Sequence, residues 1–239
     1  MWRVRWIWPG SIALMILALV SFAQGPKNEG KQTPGQQAWR DSFAVGKANL
    51  GDTGRNAYMI LEPGCRLILE HGKDTLIITV LNETKLVDGV VTRVVEEKET
   101  EGGELAEVSR NYFAIDKTTN DIYYFGEDVD TYKNGRVTGH EGAWLAGVDG
   151  ARFGLMMPAQ PKVGDRYYQE IAPKIAMDRA QIISLTETAK VPAGPFNNVL
   201  HTRESSAIES GSEDKWYAPN VGLIKDSDFV LAKIEKGKL

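Results

Sequence analysis

The sequence predicts an all-β protein, an antiparallel meander of about 10–12 strands curled into a barrel or half-barrel, with at most one short helix. From about residue 55 onward, runs rich in Val, Ile, Leu, Thr and aromatic residues alternate with polar ones at a period of two. The connections between successive runs are short, which favours antiparallel pairing because parallel strands need a crossover of a dozen or more residues. A meander of this length has to curl in order to cover its apolar face and its edges.

The first 23 residues predict a secretory signal peptide. Arg3 and Arg5 precede the apolar run "SIALMILALV", and Ser21 and Ala23 stand at the −3 and −1 positions of a cleavage site. The alternative, an uncleaved anchor, is disfavoured because the apolar run is only about half of the roughly 20 residues that a membrane span needs. We therefore expect a periplasmic or secreted protein with no stable membrane span after cleavage.

Residues 24–54 are rich in Gly, Gln, Asn, Lys and Pro, which predicts a flexible tether, with room for a short helix around "QQAWRDSF". The remaining residues, 55–239, predict a single β domain long enough to bury a core. Removal of residues 1–23 leaves 26 basic and 32 acidic residues and a net charge of −6, which argues against nucleic acid as a partner. Cys65 is the only cysteine, so no internal disulfide can form, and we expect it to be a small buried apolar residue.

The turns define the order of the strands. Asp88-Gly89 and Asn134-Gly135 are hairpin signals between β-rich runs, and the segments "EGG" and "DKTTND" separate further runs in the same half of the chain. The strands of the first half are predicted in "CRLILEH", "TLIITVLNETKLV", "VVTRVVEEKE", "ELAEVSRNYFAID" and "IYYFGEDVD". Those of the second half are predicted in "RYYQEIA", "AQIISLTET", "NNVLHTRES", "DKWYA" and "VGLIKDSDFVLAKI".

Residues 145–165 interrupt this pattern with several glycines and two prolines, and they predict a long loop or lid. The loop contains Phe153, Met156 and Met157, and methionine adapts to irregular ligand surfaces. Two interpretations remain open: a flap over a ligand in the barrel mouth, or a plug that closes the end of the core. If a ligand binds there, the candidate ligand-binding residues are Tyr124, Trp144, Phe153, Met156 and Met157.

The stretch "YYFGEDVDTYKNGRVTGHEGAW" (123–144) holds the candidate metal ligands. A type I′ turn at Asn134-Gly135 would place Asp128 opposite Glu141, with Asp130 on the same face of the hairpin. Three converging carboxylates suit a hard cation such as Ca²⁺. The alternative is a solvated hairpin tip whose acids protect an edge from aggregation. A register slip of one residue would scatter the cluster.

Familiar catalytic signatures are absent from the sequence. It contains no G-x-S-x-G, H-E-x-x-H, G-x-x-x-x-G-K, G-x-G-x-x-G or C-x-x-C motif, and its three histidines are far apart. This absence favours a protein that is not an enzyme.

Several stretches resemble a family of secreted bacterial β-rich proteins of uncharacterised function. They are "YYFGEDVDTY", "HEGAWLAGV", "MMPAQPKVGDRYYQE", "VPAGPFNNVL" and "WYAPNVGLIK". The last two are also similar to half-barrel and lipocalin-like extracytoplasmic proteins that hold apolar ligands. The resemblance implies a curled β-sheet fold and supplies no catalytic residues; a fold analogy does not by itself give a function.

The function we predict is therefore a non-enzymatic, barrel-like binding protein for an apolar or amphipathic, lipid-like small molecule. The alternatives are a Ca²⁺-binding or structural envelope interaction module, and a hydrolase that uses acids near residues 127–141. An apolar cavity would favour the binding protein, paired acids of raised pKa in a cleft the hydrolase, and a packed interior the structural module.

Overall fold

The computed structural model describes residues 37–236. The predicted signal peptide and the first part of the predicted tether, residues 24–36, lie outside the described residues. The one helical element in the described part of the chain is a 3₁₀ turn at Lys47–Asn49, and no helix there is long and apolar enough to span a membrane. Sixteen strands make up the rest of the regular structure.

The strands are β1 (Leu50–Gly51), β2 (Cys65–His71), β3 (Asp74–Val87), β4 (Val90–Glu101), β5 (Glu104–Asp116), β6 (Ile122–Lys133), β7 (Arg136–Gly139), β8 (Trp144–Leu145), β9 (Arg152–Met157), β10 (Arg166–Tyr168), β11 (Glu170–Ile171), β12 (Asp178–Val191), β13 (Gly194–Ser206), β14 (Glu213–Ala218), β15 (Gly222–Asp226) and β16 (Phe229–Lys236).

Thirteen of these strands form one continuous antiparallel path, in the order β10-β12-β13-β14-β15-β16-β2-β3-β4-β5-β6-β9-β11. The two ends of the path, β10 and β11, are neighbours in the chain and are separated only by Gln169. β10 pairs with β12, and β11 pairs with β9. The short segment that contains both strands therefore connects the two ends of the sheet. The sheet is thereby nearly closed into a barrel, and the predicted all-β antiparallel class is confirmed. We call residues 166–171 the seam.

Both predicted two-residue hairpins are present. Asp88 and Gly89 have φ values of 48° and 77° and connect β3 to β4, while Asn134 and Gly135 have φ values of 52° and 69° and connect β6 to β7. Positive φ at both central positions is the geometry of a type I′ turn, which suits the twist of antiparallel strands.

The prediction of a long loop or lid over residues 145–165 is wrong. This segment contains β9, which pairs with β6 on one side and with the seam strand β11 on the other. The strand was hidden in the sequence because it is only six residues long and contains Gly154. The glycine is needed at this position because a Cβ atom there would overlap the carbonyl group of Gln169 in the seam.

The predicted register of the acidic hairpin holds at the turn, where Tyr132 lies opposite Val137, but it slips by one residue at Thr131. A bulge in β6 also shifts its register against β5. Phe113 lies opposite Tyr124, whereas Arg110, three residues earlier in β5, lies opposite Asp128, four residues later in β6. The extra residue is accommodated at Gly126, whose φ is 134° and where a Cβ atom would overlap the carbonyl group of Trp144. Because side chains alternate between faces, one added residue reverses the faces of all that follow.

The first described residues of the predicted tether lie against the seam, whereas β1, near its end, pairs with β5. Residues 37–43, where a short helix was predicted, contain no helix. Instead, Arg40 forms a parallel bridge with Tyr167, in which its amide donates to Arg166 and its carbonyl accepts from Tyr168. The ring of Trp39 lies 4.0 Å from the guanidinium carbon of Arg166. This segment therefore pairs with the outer edge of β10.

Candidate functional site

The barrel encloses a cavity of about 70 Å³. Its walls come from strands on both sides of the barrel, among them β2, β3, β4, β5, β9 and β14, and the lining is mostly apolar. Met59 and Met156 contribute flexible thioethers, and Tyr58 and Tyr217 contribute aromatic surface. Glu97 is the one acidic residue in this lining.

Residues 54–61 cover one side of the cavity, and we call them the cover hairpin. Its ends are joined by a hydrogen bond from the Leu61 amide to the Gly54 carbonyl, 2.8 Å long. Asn56 fixes it to the barrel, because its Nδ2 donates to the carbonyl of Met157 at 3.1 Å and its Oδ1 accepts from the amide of Met59 at 2.9 Å. Four side-chain hydrogen bonds of Asn56 hold the hairpin in place. The cavity is therefore covered by this hairpin, and not by residues 145–165.

The carboxyl of Glu97 has an unusual electrostatic environment. Burial raises its pKa to about 8, with further upward contributions from Asp226 and Glu127 and an opposing one from Lys215. At neutral pH Glu97 is mostly protonated, so it presents a neutral acid to the apolar cavity.

Glu97 belongs to a larger set of acidic side chains inside the barrel, which we call the interior acid group. Its members are Glu97, Glu127, Glu170, Asp178, Glu204, Glu213 and Asp226. Lys215, which is only 1% exposed, forms ion pairs with three of them. Its Nζ lies 3.3 Å from Glu204, 3.2 Å from Glu213 and 3.5 Å from Asp226.

Cross-strand register explains why these charges meet. Lys215 on β14 lies opposite Thr202 on β13 and opposite Asp226 on β15, while Glu213 lies opposite Glu204. Alternation then directs Glu213 and Lys215 to the same side of β14. Burial by itself would lower the pKa of Lys215, but Asp226, Glu204 and Glu213 outweigh it and raise that pKa well above its usual value.

Three further members of the interior acid group have raised pKa values. Burial raises the pKa of Glu213 to about 7 and that of Asp178 to about 6. The carboxyl of Glu170 is fully buried, and both of its oxygens lack a hydrogen-bond partner among the described residues. Burial, followed by repulsion from Asp178 and Glu127, raises the pKa of Glu170 well above its usual value.

The seam connects the interior acid group to the cavity wall. Gln169, between the two seam strands, donates through Nε2 to Glu204 at 3.2 Å and contacts the Sδ atom of Met156 at 3.6 Å. Glu204 also accepts from the hydroxyl of Thr202 at 3.1 Å. The polar and apolar halves of the interior are therefore in direct contact.

Of the five predicted ligand-binding residues, Met156 lines the cavity. Tyr124 is fully buried beside it in the core, where its ring stacks on Phe113 at 4.7 Å and its hydroxyl donates to Asn111. Trp144 packs edge-on against Tyr124 at 5.5 Å.

Like Tyr124 and Trp144, the remaining two predicted residues do not line the cavity. Phe153 stacks on Phe125 at 4.8 Å, and Met157 is buried in the core. Cys65, predicted to be buried, is half-buried and contributes to the cavity lining, where burial raises the pKa of its thiol.

Sequence reasoning missed Glu97, although one signal was available. It stands two positions after Val95 in "VVTRVVEEKE", so alternation places both side chains on the same face of β4. Both do line the cavity. A carboxyl that shares the inward face of a strand with valine is a reasonable indication of an interior charge.

The three predicted metal ligands are separately engaged. Asp128 has a side chain that is 57% exposed and accepts hydrogen bonds from Lys85 Nζ at 2.8 Å and from the hydroxyl of Tyr112. Asp130 lies 2.9 Å from Nδ1 of His140. The predicted pairing of Asp128 with Glu141 is wrong, because β7 ends at Gly139 and Glu141 lies in the turn that follows.

The part of the chain that the structure describes contains no group of three His, Cys, Asp or Glu side chains arranged to hold a metal ion. The Ca²⁺ site at Asp128, Asp130 and Glu141 therefore stays a prediction without a geometric basis. Comparing thermal melts in Ca²⁺ and in EDTA would test it.

Comparisons with known proteins add little. No protein-family model matches the sequence, and no curated protein matches it either. Among solved structures, the chain is similar to a protein described as a "putative lipoprotein" from Parabacteroides distasonis, with 11% sequence identity and a TM-score of 0.36. The match covers 76% of this chain and 100% of the other. At these values it carries no argument about function, and the resemblance to a secreted β-rich family stays a prediction.

Proposed function

We propose that this protein is an extracytoplasmic, non-enzymatic barrel that holds a short apolar or amphipathic group in the cavity beneath the cover hairpin. The observation that carries the proposal is the cavity itself: well-packed proteins leave few voids larger than a water molecule. An apolar cavity favours the binding of an apolar group, because filling it removes apolar ligand surface from water.

The volume of the cavity limits its ligand. Pockets that enclose drug-sized molecules measure roughly 300–1,000 Å³, whereas this one measures about 70 Å³. A group of a few carbon atoms fits that size, and so does the end of a longer chain whose remainder stays outside. Met59 and Met156 can adjust their side-chain torsions to the shape of such a group.

Two alternatives each have an observation in their favour. Carboxyls of raised pKa favour the hydrolase. A glycoside hydrolase, for example, needs two carboxyl groups at the substrate. Glu97 is the one member of the interior acid group that faces the cavity, so the cavity lining lacks a second carboxyl group. The small volume favours the structural envelope module, which requires no ligand.

The methionine methyl groups allow a direct test. The mature chain, residues 24–239, is labelled with ¹³C at the methionine methyls and titrated with n-butanol, with the methyl signals observed by NMR. We expect the signals of Met59 and Met156 to shift and saturate, because both line the cavity. Met157 and Met177, which do not line it, serve as internal controls.

If all four signals stay unchanged, or all four move together without saturation, the proposed function is wrong and the structural module is favoured. A native mass spectrum of the protein purified from its own compartment, without added ligand, would then show only the polypeptide mass. A retained mass that is lost on denaturation would instead identify the natural ligand.

A further inference from the structure

Two arginines lie close together on the outer face of the seam. In the pairing of β10 with β12, Arg166 lies opposite Gln181 and Arg179 lies opposite Tyr168. Tyr167, between the two outward residues of β10, is only 1% exposed and points inward. Because side chains alternate between faces, Arg166 and Arg179 are diagonal neighbours on the outer face. We call them the arginine pair.

The ring of Trp39 lies against both members of the pair. The guanidinium carbon of Arg166 is 4.0 Å from the centre of this ring, and that of Arg179 is 4.5 Å from it. Nη1 of Arg166 donates to the carbonyl of Gln37 at 2.9 Å, and Nε of Arg179 donates to the hydroxyl of Ser205 at 3.3 Å. These contacts fix the positions of both guanidinium groups. They leave N–H donors for a ligand, because each guanidinium has five.

Within residues 37–236, neither member of the pair forms an ion pair with a carboxylate. Arg203 on the neighbouring strand β13 differs, because it donates two hydrogen bonds to Asp214. Nε of Arg166 is buried without a hydrogen-bond partner among the described residues. Burial, and then the charge of Arg179, lower the pKa of Arg166. The pair therefore consists of two adjacent positive charges that repel each other.

A phosphate group fits this arrangement better than a carboxylate does. A phosphate monoester carries a charge of about −1.5 to −2 at pH 7, which matches two guanidinium groups. Its oxygens can accept hydrogen bonds from both groups at once, in the forked geometry that arginine favours. A carboxylate carries a single charge, and its two oxygens suit one guanidinium.

We propose that the arginine pair binds the phosphate group of a ligand on the outer face of the seam. Neither arginine lines the cavity, so the site is separate from the one beneath the cover hairpin. The proposal therefore does not depend on the proposed function. The bound phosphate would relieve the repulsion between the two guanidinium groups.

The indole N–H signals of the tryptophans provide a local measurement. The mature chain, residues 24–239, contains Trp39, Trp144 and Trp216. It is labelled with ¹⁵N and titrated with inorganic phosphate at about pH 7.5, with sodium chloride of matched ionic strength as the reference. We expect the Trp39 signal to shift and saturate with phosphate alone. Trp144, buried in the core, and Trp216, stacked on His201, serve as internal controls.

Three variants test whether the arginine pair is responsible. Arg166→Gln and Arg179→Gln should each weaken phosphate binding by roughly ten- to a hundredfold, because each removes charge-assisted hydrogen bonds. The matched control is Arg136→Gln, which removes an exposed arginine on β7 and should leave the affinity within about twofold. A Trp39 signal that does not saturate, or equal weakening by all three variants, would overturn the proposal.

A comparison of anions on the wild type decides if the variants at Arg166 and Arg179 fail to fold. Phosphate should bind about tenfold or more tightly than acetate, because acetate has one charge and two oxygens. Equal affinities of the two anions would contradict a site built for phosphate.

Sedimentation with lipid vesicles distinguishes the sources of the phosphate. Vesicles of phosphatidic acid and phosphatidylcholine are compared with vesicles of phosphatidylcholine alone. If the first kind retains the wild type, and loses it on addition of inorganic phosphate or in Arg179→Gln, the ligand is a lipid headgroup. If free phosphate binds and neither kind of vesicle retains the protein, the ligand is a soluble phosphate compound.

Discussion

Lys215 shows at the level of one residue how this barrel tolerates charge in its interior. Burial of an ammonium group costs several kcal/mol, and attraction to nearby carboxylates has to offset that cost. Three carboxylates within 3.5 Å do so here. In turn, Lys215 lowers the pKa values of Glu97 and Glu213 below what burial alone would give. The lysine and the acids are therefore mutually dependent.

Replacing Lys215 by methionine should be strongly destabilising. The variant leaves Glu204, Glu213 and Asp226 without their buried cation, and breaking a buried charge pair costs about 3–5 kcal/mol. We expect a loss of that size in the free energy of unfolding by urea at pH 8. At pH 5 the loss should be smaller, because more of the acids are protonated.

The control for this variant is Lys233→Met, whose side chain is 64% exposed and pairs with Glu235 on the surface. It should change the free energy of unfolding by less than about 1 kcal/mol. A similar effect of the two substitutions would show that the interior pairs do not stabilise the barrel.

The sequence could indicate an acidic site near residues 123–144, but it placed that site on the wrong side chains. Regular alternation through β6 puts Asp128 on the same face as Tyr124. The bulge at Gly126 reverses this, so that Glu127 is 1% exposed whereas Asp128 is largely in solvent. Nothing in "YYFGEDVD" distinguishes a bulge glycine from an ordinary strand glycine, because the difference lies in the close approach of Trp144.

At the level of elements, closure of the barrel at the seam requires a close backbone approach between β9 and Gln169. β9 packs so closely against Gln169 that no side chain fits at position 154. The two seam strands are only three and two residues long, so local patterns do not reveal that they close the sheet. Turn signals predicted the hairpins correctly, and a strand was predicted in "RYYQEIA", but neither its role in closing the sheet nor the cover hairpin was predicted.

Gly154→Ala should open the seam. The added methyl group overlaps the backbone of Gln169, which cannot move aside as a flexible side chain would. We expect a loss of about 3 kcal/mol or more in the free energy of unfolding, in line with severe overpacking in a core. Hydrogen exchange should speed up at the amides of residues 152–157 and 166–171.

Gly46→Ala is the matched control, because its φ is −79° and the nearest atom to an added Cβ, Asn49 Nδ2, lies at 3.7 Å. This substitution should be neutral or slightly stabilising. If Gly154→Ala behaves in the same way, the barrel does not depend on close contact at the seam.

At the level of the whole molecule, composition and periodicity predicted the antiparallel meander and its curling. Composition and periodicity could not predict the charged interior, because the sequence contains 32 acidic residues and does not indicate which of them point inward. Only the register of β13, β14 and β15 assembles Glu204, Glu213 and Asp226 around one lysine.

The interior acid group should make the stability of the whole barrel depend on pH. Glu97, Glu213 and Asp178 have folded-state pKa values of about 8, 7 and 6, all above their values in an unfolded chain. The folded state therefore binds more protons than the unfolded state between about pH 4 and 8, and stability falls as pH rises through that range. Since a tenfold change in proton affinity is worth about 1.4 kcal/mol, the total loss should be several kcal/mol.

Below about pH 4.5 the stability of the fold should decrease as the pH falls. Hydrogen bonds lower the pKa values of the surface carboxylates Glu62 and Asp214, which stabilise the fold only while ionised. We thus expect maximal stability near pH 5, measured as the urea midpoint from pH 3 to 9. Glu97→Gln should flatten the alkaline limb, and a wild-type profile that rises from pH 5 to 8 would contradict this account.

The pairing of Arg40 with β10 has a consequence for the behaviour of the protein in a crowded compartment. An unpaired strand edge is a template on which another chain can add a strand, and the seam strand β10 would offer such a template on the side away from β12. Arg40 occupies this edge through its backbone hydrogen bonds to Arg166 and Tyr168. The ring of Trp39 lies against the guanidinium groups of Arg166 and Arg179 and holds the segment there. The stretch before the barrel thus acts as a built-in guard against self-association.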